Sequence, residues 1–265
     1  MATPLSVYVL TRDSEEHLDA VLGAVRGLAD EIVVVDSGSS DGTRAIAERH
    51  GARWLERPFD HFGAQRNFAQ DACAHDWVLA LDSDEIMDAE MAAHLAGLKA
   101  AGFRPGGPDG RDVEAFKLRR RWYLFGREIR CLLPVESPDY PIRLFDRTRV
   151  RYSEVGNLVH ESPEGVTSDE RIHAGALHHY SGDTVERLYA KLNLYSGLAA
   201  REMVRKGQAT SWFGVFSHAT SAWFKWYVAK GGWRDGEVGF LTGLYASQYT
   251  FLKHLKRLFL DRGGR

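Results

Sequence analysis

The first half of this chain alternates short unbroken apolar runs with stretches of helical spacing. Residues 5–10 (Leu-Ser-Val-Tyr-Val-Leu) read as a first strand. Leu18, Val21, Leu22, Val25 and Leu28 follow with the spacing that gives a helix one apolar face. Asp13 and Glu16 stand ahead of it as a capping pair. Residues 32–35 are a β-branched strand ending at Asp36, and the small residues 37–43 form a loop. A helix over 41–50 closed by Gly51, a short strand at 54–55, a helix over 62–73 and a strand over 77–81 complete the pattern. Runs that are apolar throughout suit strands covered on both faces, and β-α-β-α-β-α-β is the order of a doubly wound, mostly parallel sheet. Further on, the pattern predicts a helix over 87–101, a Gly/Pro-rich loop over 102–112 and strands over 113–121, 142–145, 151–160 and 173–180. Residues 122–140, rich in aromatics, Arg and Pro, read as a loop over the sheet edge. From Asp183, paired with Glu186 as a cap, the spacing is helical to the end. The expected organisation is an α/β domain over 1–180 and a helical region over 181–265.

One strand ends unusually. Trp77-Val78-Leu79-Ala80-Leu81 runs straight into Asp82-Ser83-Asp84-Glu85. Clustered carboxylates repel, and a divalent cation removes that repulsion through oxygen ligands. In open α/β sheets ligands bind beyond the carboxyl ends of the strands. Two strands end in aspartate, at Asp36 and Asp82, and parallel strands place both at the same edge. The plain alternative is a pair of helix caps, since acidic residues favour first turns. The geometry favours one metal-assisted site for a phosphate-bearing ligand.

Composition narrows this further. With 265 residues the chain is long enough for one large domain with an appendage. The net charge of -2 argues against general nucleic-acid binding. Two cysteines, Cys73 and Cys131, give neither a disulfide framework nor zinc spacing and fit a reducing cytoplasm. There is no signal-peptide pattern at the N-terminus and no apolar run long enough to span a bilayer.

Val33-Val34-Val35-Asp36-Ser37-Gly38-Ser39-Ser40-Asp41-Gly42-Thr43 together with Leu81-Asp82-Ser83-Asp84-Glu85 resembles the family 2 glycosyltransferases of the GT-A fold. Gln65-Arg66-Asn67-Phe68-Ala69, Val159-His160-Glu161, His179-Tyr180-Ser181 and residues 191–196 resemble the branch that holds bacterial lipopolysaccharide core β-glucosyltransferases. Two stretches depart from that branch. Thr11-Arg12-Asp13-Ser14 stands where it has Thr-Lys-Asn-Glu, and its Gly-Trp-Tyr-Pro is lost within 130–139, on the loop expected to face the acceptor.

The resemblance implies an inverting hexosyltransferase that uses a nucleotide-sugar donor, UDP-glucose, and a cell-envelope glycan or glycolipid acceptor such as lipopolysaccharide core. It implies Mg²⁺ or Mn²⁺, with Asp84 the main ligand, Asp82 shared between metal and ribose, and His160 a third ligand. It also implies that Asp36 contacts the base and that Thr11, Arg12 and Ser37 line the nucleotide pocket. Arg66 suits the diphosphate, or else is a solvated helix arginine. An inverting transfer needs a carboxylate base; Glu161 is the first candidate and Asp139 the second. His173, His178 and His179 read as sheet or interface residues. The aromatic and basic C-terminal third suits an interfacial helix at the inner face of the cytoplasmic membrane, a homodimer contact, or simple core packing. A sugar nucleotidyltransferase and a non-catalytic glycan- or lipid-binding module on the same fold are the rival readings. The former normally carries a Gly-rich phosphate loop after its first strand, where this chain has no glycine.

Overall fold

The computed structural model describes residues 2–104, 112–153, 163–182 and 184–260. Its first strand is β1 (Leu5–Thr11), followed by α1 (Leu18–Val25), β2 (Glu31–Asp36), α2 (Thr43–Arg49), β3 (Arg53–Glu56), α3 (Phe62–Ala72) and β4 (Trp77–Asp82). β1 pairs in parallel with β2 on one side and β4 on the other, and β3 pairs with β2. The apolar runs have a simple cause. Val7, Val9, Val34, Leu79 and Leu81 pack in one buried cluster with α1, whereas Tyr8, Val33, Val35, Val78 and Ala80 pack in another with Ala69 of α3. Successive strand residues point to opposite faces, so a sheet covered on both sides has no polar positions to alternate.

β5 (Glu85–Met87) and α4 (Ala89–Ala100) come next, then β6 (Ala115–Leu124), β7 (Arg127–Ile129), β8 (Cys131–Leu132), β9 (Val135–Glu136), β10 (Ile142–Asp146), β11 (Arg151–Tyr152), β12 (Pro163–Glu164) and β13 (Asp169–Gly182). Among the described residues the main sheet runs β3-β2-β1-β4-β10-β6-β13-β5. It is parallel through β4 and antiparallel where β10 meets β4 and β6, and where β13 meets β5. β5 begins three residues after β4 ends, within about 11 Å of chain, yet lies four strand spacings away, about 19 Å in a flat sheet. The sheet must therefore curl back on itself.

Several local expectations are corrected. Asp13 does not cap α1; it has φ 47 and accepts from Ser40 N, and α1 starts after His17. The residue-41 helix begins at Thr43. The residue-87 helix begins at Ala89, because Asp88 caps it through Met91 N. Asp88 also accepts from Ala176 N, and the chain can approach so closely only because residue 175 is glycine: a Cβ there would strike Asp88 and Met91. Residues 122–140 are not a plain loop, since β6 runs on to Leu124 and two hairpins follow. Of the strand expected over 151–160, Arg151–Tyr152 is present and 154–160 lie outside the described residues.

The chain divides into two compact units: Met1–Arg120 with Tyr140–His179, and Arg121–Asp139 with Tyr180–Arg265. In the second, α5 (Val185–Arg205) is capped by Thr184, and α6 (Trp212–Trp223) by Ser211. A π-helical turn (Phe224–Ala229), a 3-10 turn (Gly232–Asp235) and α7 (Gly236–Leu260) complete it. Leu188 and Leu192 of α5 meet Val238 and Tyr245 of α7 and Leu124, Ile129 and Leu132 of the hairpins. Asp183, expected as the cap, lies outside the described residues. No described helix is long and apolar enough to cross a membrane.

His254 of α7 is buried, stacked on His218 at 4.5 Å with Thr210 Oγ1 3.1 Å from its Nδ1. Burial, reinforced by Lys253 and His218, lowers its pKa to about 4. The unfolded chain therefore binds the extra proton first, so the stability carried by neutral His254 is complete above about pH 6.5 and lost as pH falls toward the folded value. Acidification across that window should cost roughly 3 kcal/mol through this residue. Urea unfolding midpoints at a series of pH values should show a shallower slope in His254→Gln than in the parent.

Candidate active site

The carboxyl ends of β2, β1 and β4 form one rim. Thr11 lies opposite Asp36 and Leu10 opposite Asp82, so the two aspartates are separated by a single strand, about 10 Å. The chain leaves β1 toward β2 on one side and returns as β4 on the other, the switch point where open sheets leave a crevice. Asp36 is buried and accepts four hydrogen bonds: Thr11 Oγ1 (2.8 Å) and Ser39 Oγ (2.5 Å) on one oxygen, Gly38 N (2.8 Å) and Ser39 N (2.7 Å) on the other. That fills the acceptor sites of a carboxylate. Ser39 Oγ in turn accepts from Asp13 N, Thr43 Oγ1 accepts from Ser14 N, and the Ser14 and Ser83 hydroxyls lie 2.8 Å apart. The loops after β1, β2 and β4 are thus stitched together. Arg12 is exposed beside them.

The Gln-Arg-Asn stretch of α3 serves three neighbours at once. Gln65 donates to Ser37 Oγ at 3.0 Å, Asn67 exchanges two hydrogen bonds with the Tyr152 backbone, and Arg66 reaches Asp82 at 2.7 Å. Arg66 is buried, with its guanidinium 5.5 Å from the Tyr152 ring centre. α3 can lie this close because residue 63 is glycine; a Cβ there would collide with the Ser153 carbonyl.

Asp82 is held on its other oxygen by Arg143 of β10 at 2.6 Å. The same guanidinium nitrogen bonds Glu85, which has no exposed surface and also accepts from Arg120 of β6 at 2.7 Å. Arginines thus relieve the repulsion at Asp82 and Glu85 that the sequence suggested a cation would relieve. Burial, the strongest influence on Asp82, raises its pKa, but Arg143, Arg66, His179 and Arg120 together outweigh it and hold the carboxyl far below the usual range. Burial likewise acts to lower the Arg143 pKa, and Asp82 and Glu85 reverse it. Asp84, half-buried, points elsewhere: its carboxylate lies 3.2 Å from His179 Nε2, brought there by the pairing of β13 with β5. Among the described residues no group of three or more His, Cys, Asp or Glu side chains is arranged to hold a metal ion.

Residues 6–129 match the family model described as glycosyl transferase family 2. That match spans just under half of the chain. The chain is 28% identical to the lipopolysaccharide core biosynthesis glycosyltransferase LpsC of Rhizobium meliloti, over 96% of this chain and 91% of that protein. An uncharacterized glycosyltransferase of Rickettsia bellii is 25% identical over 95% of this chain and 85% of its own length. The fold is shared with glucosyl-3-phosphoglycerate synthase from Mycobacterium tuberculosis, solved with Mn²⁺, UDP and phosphoglyceric acid, at a TM-score of 0.50 and 18% identity over 79% of this chain and 80% of that one. It is the GT-A fold.

The rim gathers Thr11, Arg12, Asp36, Ser37, Arg66 and Asp82 on neighbouring strand ends and on α3, with Asp84 two residues past Asp82 on the turn that His179 faces. His160 and Glu161 lie outside the described residues. Asp139 belongs to the second unit, where it accepts from the Trp122 indole at 3.0 Å. Sequence reading passed over Arg143, Arg120 and His179. The signals were present: Arg143 interrupts the apolar strand Ile142-Arg143-Leu144-Phe145, and Arg120 sits inside a strand that covers its charge. His179, read as a sheet residue, does lie in the sheet, but its ring faces the Asp-x-Asp turn.

Arg143→Met would leave the buried Glu85 and the half-buried Asp82 each short of a cation. Breaking such a network from one side should destabilise the transferase by about 3–5 kcal/mol, measured by urea unfolding at neutral pH. Arg143→Lys, which keeps the charge but not the planar fork, should recover only part of that loss.

Proposed function

We propose that the chain is an inverting, divalent-metal-dependent hexosyltransferase that moves glucose from UDP-glucose to a hydroxyl of a cell-envelope glycolipid, lipopolysaccharide core. The observation that carries this reading is the convergence of Asp36 and Asp82 on one strand-end rim together with the buried cations Arg66 and Arg143. The acceptor class rests on the similarity to the Rhizobium meliloti lipopolysaccharide core enzyme. The donor class takes support from the UDP and Mn²⁺ held by the Mycobacterium tuberculosis enzyme of the same fold.

The chemistry of the donor set fits Mn²⁺ or Mg²⁺. Asp84 offers a hard carboxylate oxygen, and its neighbour His179 an imidazole that Mn²⁺ accepts. Asp82 accepts one arginine bond on each oxygen, which leaves a lone pair that would serve the ion, and His160 is the further ligand that the resemblance implies. When bound, the ion supplies Lewis-acid stabilisation of charge on the diphosphate.

In this reading Thr11, Arg12, Asp36 and Ser37 line the nucleotide side. Asp36 accepts from the uracil ring in exchange for one of its hydroxyl donors. Arg66 is positioned for the diphosphate, where a guanidinium matches phosphate oxygens. Glu161, or Asp139 in its place, takes the proton of the acceptor hydroxyl. That oxygen bonds the anomeric carbon from the face opposite the diphosphate, whose bond breaks with its electron pair leaving on UDP.

Incubation with UDP-glucose, Mn²⁺ and a core-oligosaccharide acceptor should release UDP in proportion to acceptor. Absence of release from any UDP-hexose with either metal would overturn the assignment. Asp84→Asn should lose the metal-dependent part of the Tm rise given by UDP-glucose, which for saturation at about a hundred times Kd corresponds to about 2.7 kcal/mol. Glu161→Gln should lower kcat by about 10²–10⁴-fold with donor binding intact, the range for a lost general base. Near-normal turnover in Glu161→Gln with loss in Asp139→Asn would move the base to Asp139.

A further inference from the structure

α6 is packed inside out. Its buried residues are the small Val215 and Ala219, while Phe213 is 82% exposed, Phe216 59% and Phe224, just past its end, 57%. Phe213, Ser217, Thr220 and Phe224 recur at helical spacing along one face and, with Phe216 and Ser221, line a shallow open groove. The apolar surface continues sideways: Trp212 stacks on Phe216 at 6.5 Å and meets the ring of Phe259, on the last turn of α7, edge-on at 6.1 Å. Exposed apolar side chains scattered singly are ordinary, but a contiguous aromatic face is an interaction surface. Packing within the unit does not account for it, since the large side chains face out and the small ones in.

Charge says what the surface fits. Residues 207–224 contain no Asp, Glu, Lys or Arg, and the wider segment 203–234 carries five Lys and Arg with no carboxylate, in a chain whose net charge is -2. Glu202 pairs with Arg205 and Lys206, and Glu136 with Lys230. Lys225 and Arg234 are exposed and lie against the rings of Trp226 and Trp233 instead. Aromatic side chains beside cations that make no ion pair among the described residues match the boundary between acyl chains and anionic headgroups. A twelve-residue helix is far short of the roughly 20 residues needed to span a bilayer, so the mode is interfacial.

We propose that the outward face of α6, with the adjoining end of α7, docks on an anionic phospholipid bilayer through Phe213, Phe216, Phe224 and Trp212, with Lys225 and Arg234 held at the headgroup level. The proposal extends the glycolipid-acceptor reading but does not depend on it, because it needs neither donor nor acceptor.

The test is co-sedimentation of the full chain with vesicles of phosphatidylcholine alone or mixed with phosphatidylglycerol. Binding should require phosphatidylglycerol, weaken as salt is raised, and shift tryptophan emission to the blue. Phe213→Ser combined with Phe224→Ser should weaken binding by about tenfold or more with an unchanged melting temperature. Lys225→Glu with Arg234→Glu should weaken it selectively on anionic vesicles. Equal binding by the phenylalanine variants, or by neutral and anionic vesicles, overturns the proposal. So does a dimer in vesicle-free solution that Phe213→Ser converts to monomer, which would make the face a contact between two copies of the chain.

Discussion

Two carboxylates beside each other, Glu85 fully buried and Asp82 half-buried, set the condition that the first unit has to meet. A buried charge without a partner is prohibitively unfavourable, and two of the same sign are worse. Three arginines satisfy them, and each comes from a different element: Arg66 from α3, Arg143 from β10 and Arg120 from β6. Asp82 ends β4 and Glu85 begins β5, so five elements are fixed to one another at a single network. The network also explains the curl of the sheet. β5 must return to the chain end of β4 while pairing with β13, and Glu85 can be buried there only where Arg120 and Arg143 converge on it. Its second effect is electrostatic. With Asp82 and Glu85 engaged by arginines, the Asp84 carboxylate lies against the His179 imidazole at 3.2 Å.

The parallel half of the fold was legible because burial on both faces leaves strands that are apolar at every position. Residues 32–35 and 77–81 could hardly be anything else, and the aspartates that end them marked the rim. The antiparallel half was harder. β6 and β10 carry arginines that are buried in the folded chain but read as surface positions in the sequence. Their partners, Glu85 above all, looked like part of an acidic cluster. A pair that neutralises itself across sixty residues leaves no local trace. His179 was missed for a related reason: what matters about it is the register of β13 on β5, which no spacing along the chain encodes. At Asp13 local propensity pointed to a cap, and the tertiary bond to Ser40 N drew the residue into a left-handed turn instead.

The aromatic residues of the C-terminal third could not be sorted by sequence because they serve two purposes. Trp226 and Tyr245 are core, packed with Cys131 and with Leu188 and Leu192 respectively. Phe213 and Phe224, equally apolar, are not. The distinction comes from what lies opposite each helix face. Where α7 meets the 3-10 turn, Gly239 lets the backbones come together so closely that a Cβ would strike the Gly232 carbonyl, and nearby side chains are sealed in. The outer side of α6 has no such neighbour among the described residues of its unit.

The saturation of Asp36 has a consequence for how the rim meets anything that arrives there. Its four donors come from the chain's own β1 end and β2 loop, and the same loop is tied back to the turns after β1 and β4. The contour is therefore cast before an incoming molecule arrives. Association need not freeze a wandering loop, and the entropic toll that usually accompanies such ordering is small. A ligand bound at this edge would meet a rigid lock, with exchange of one hydroxyl partner the adjustment open to the carboxylate.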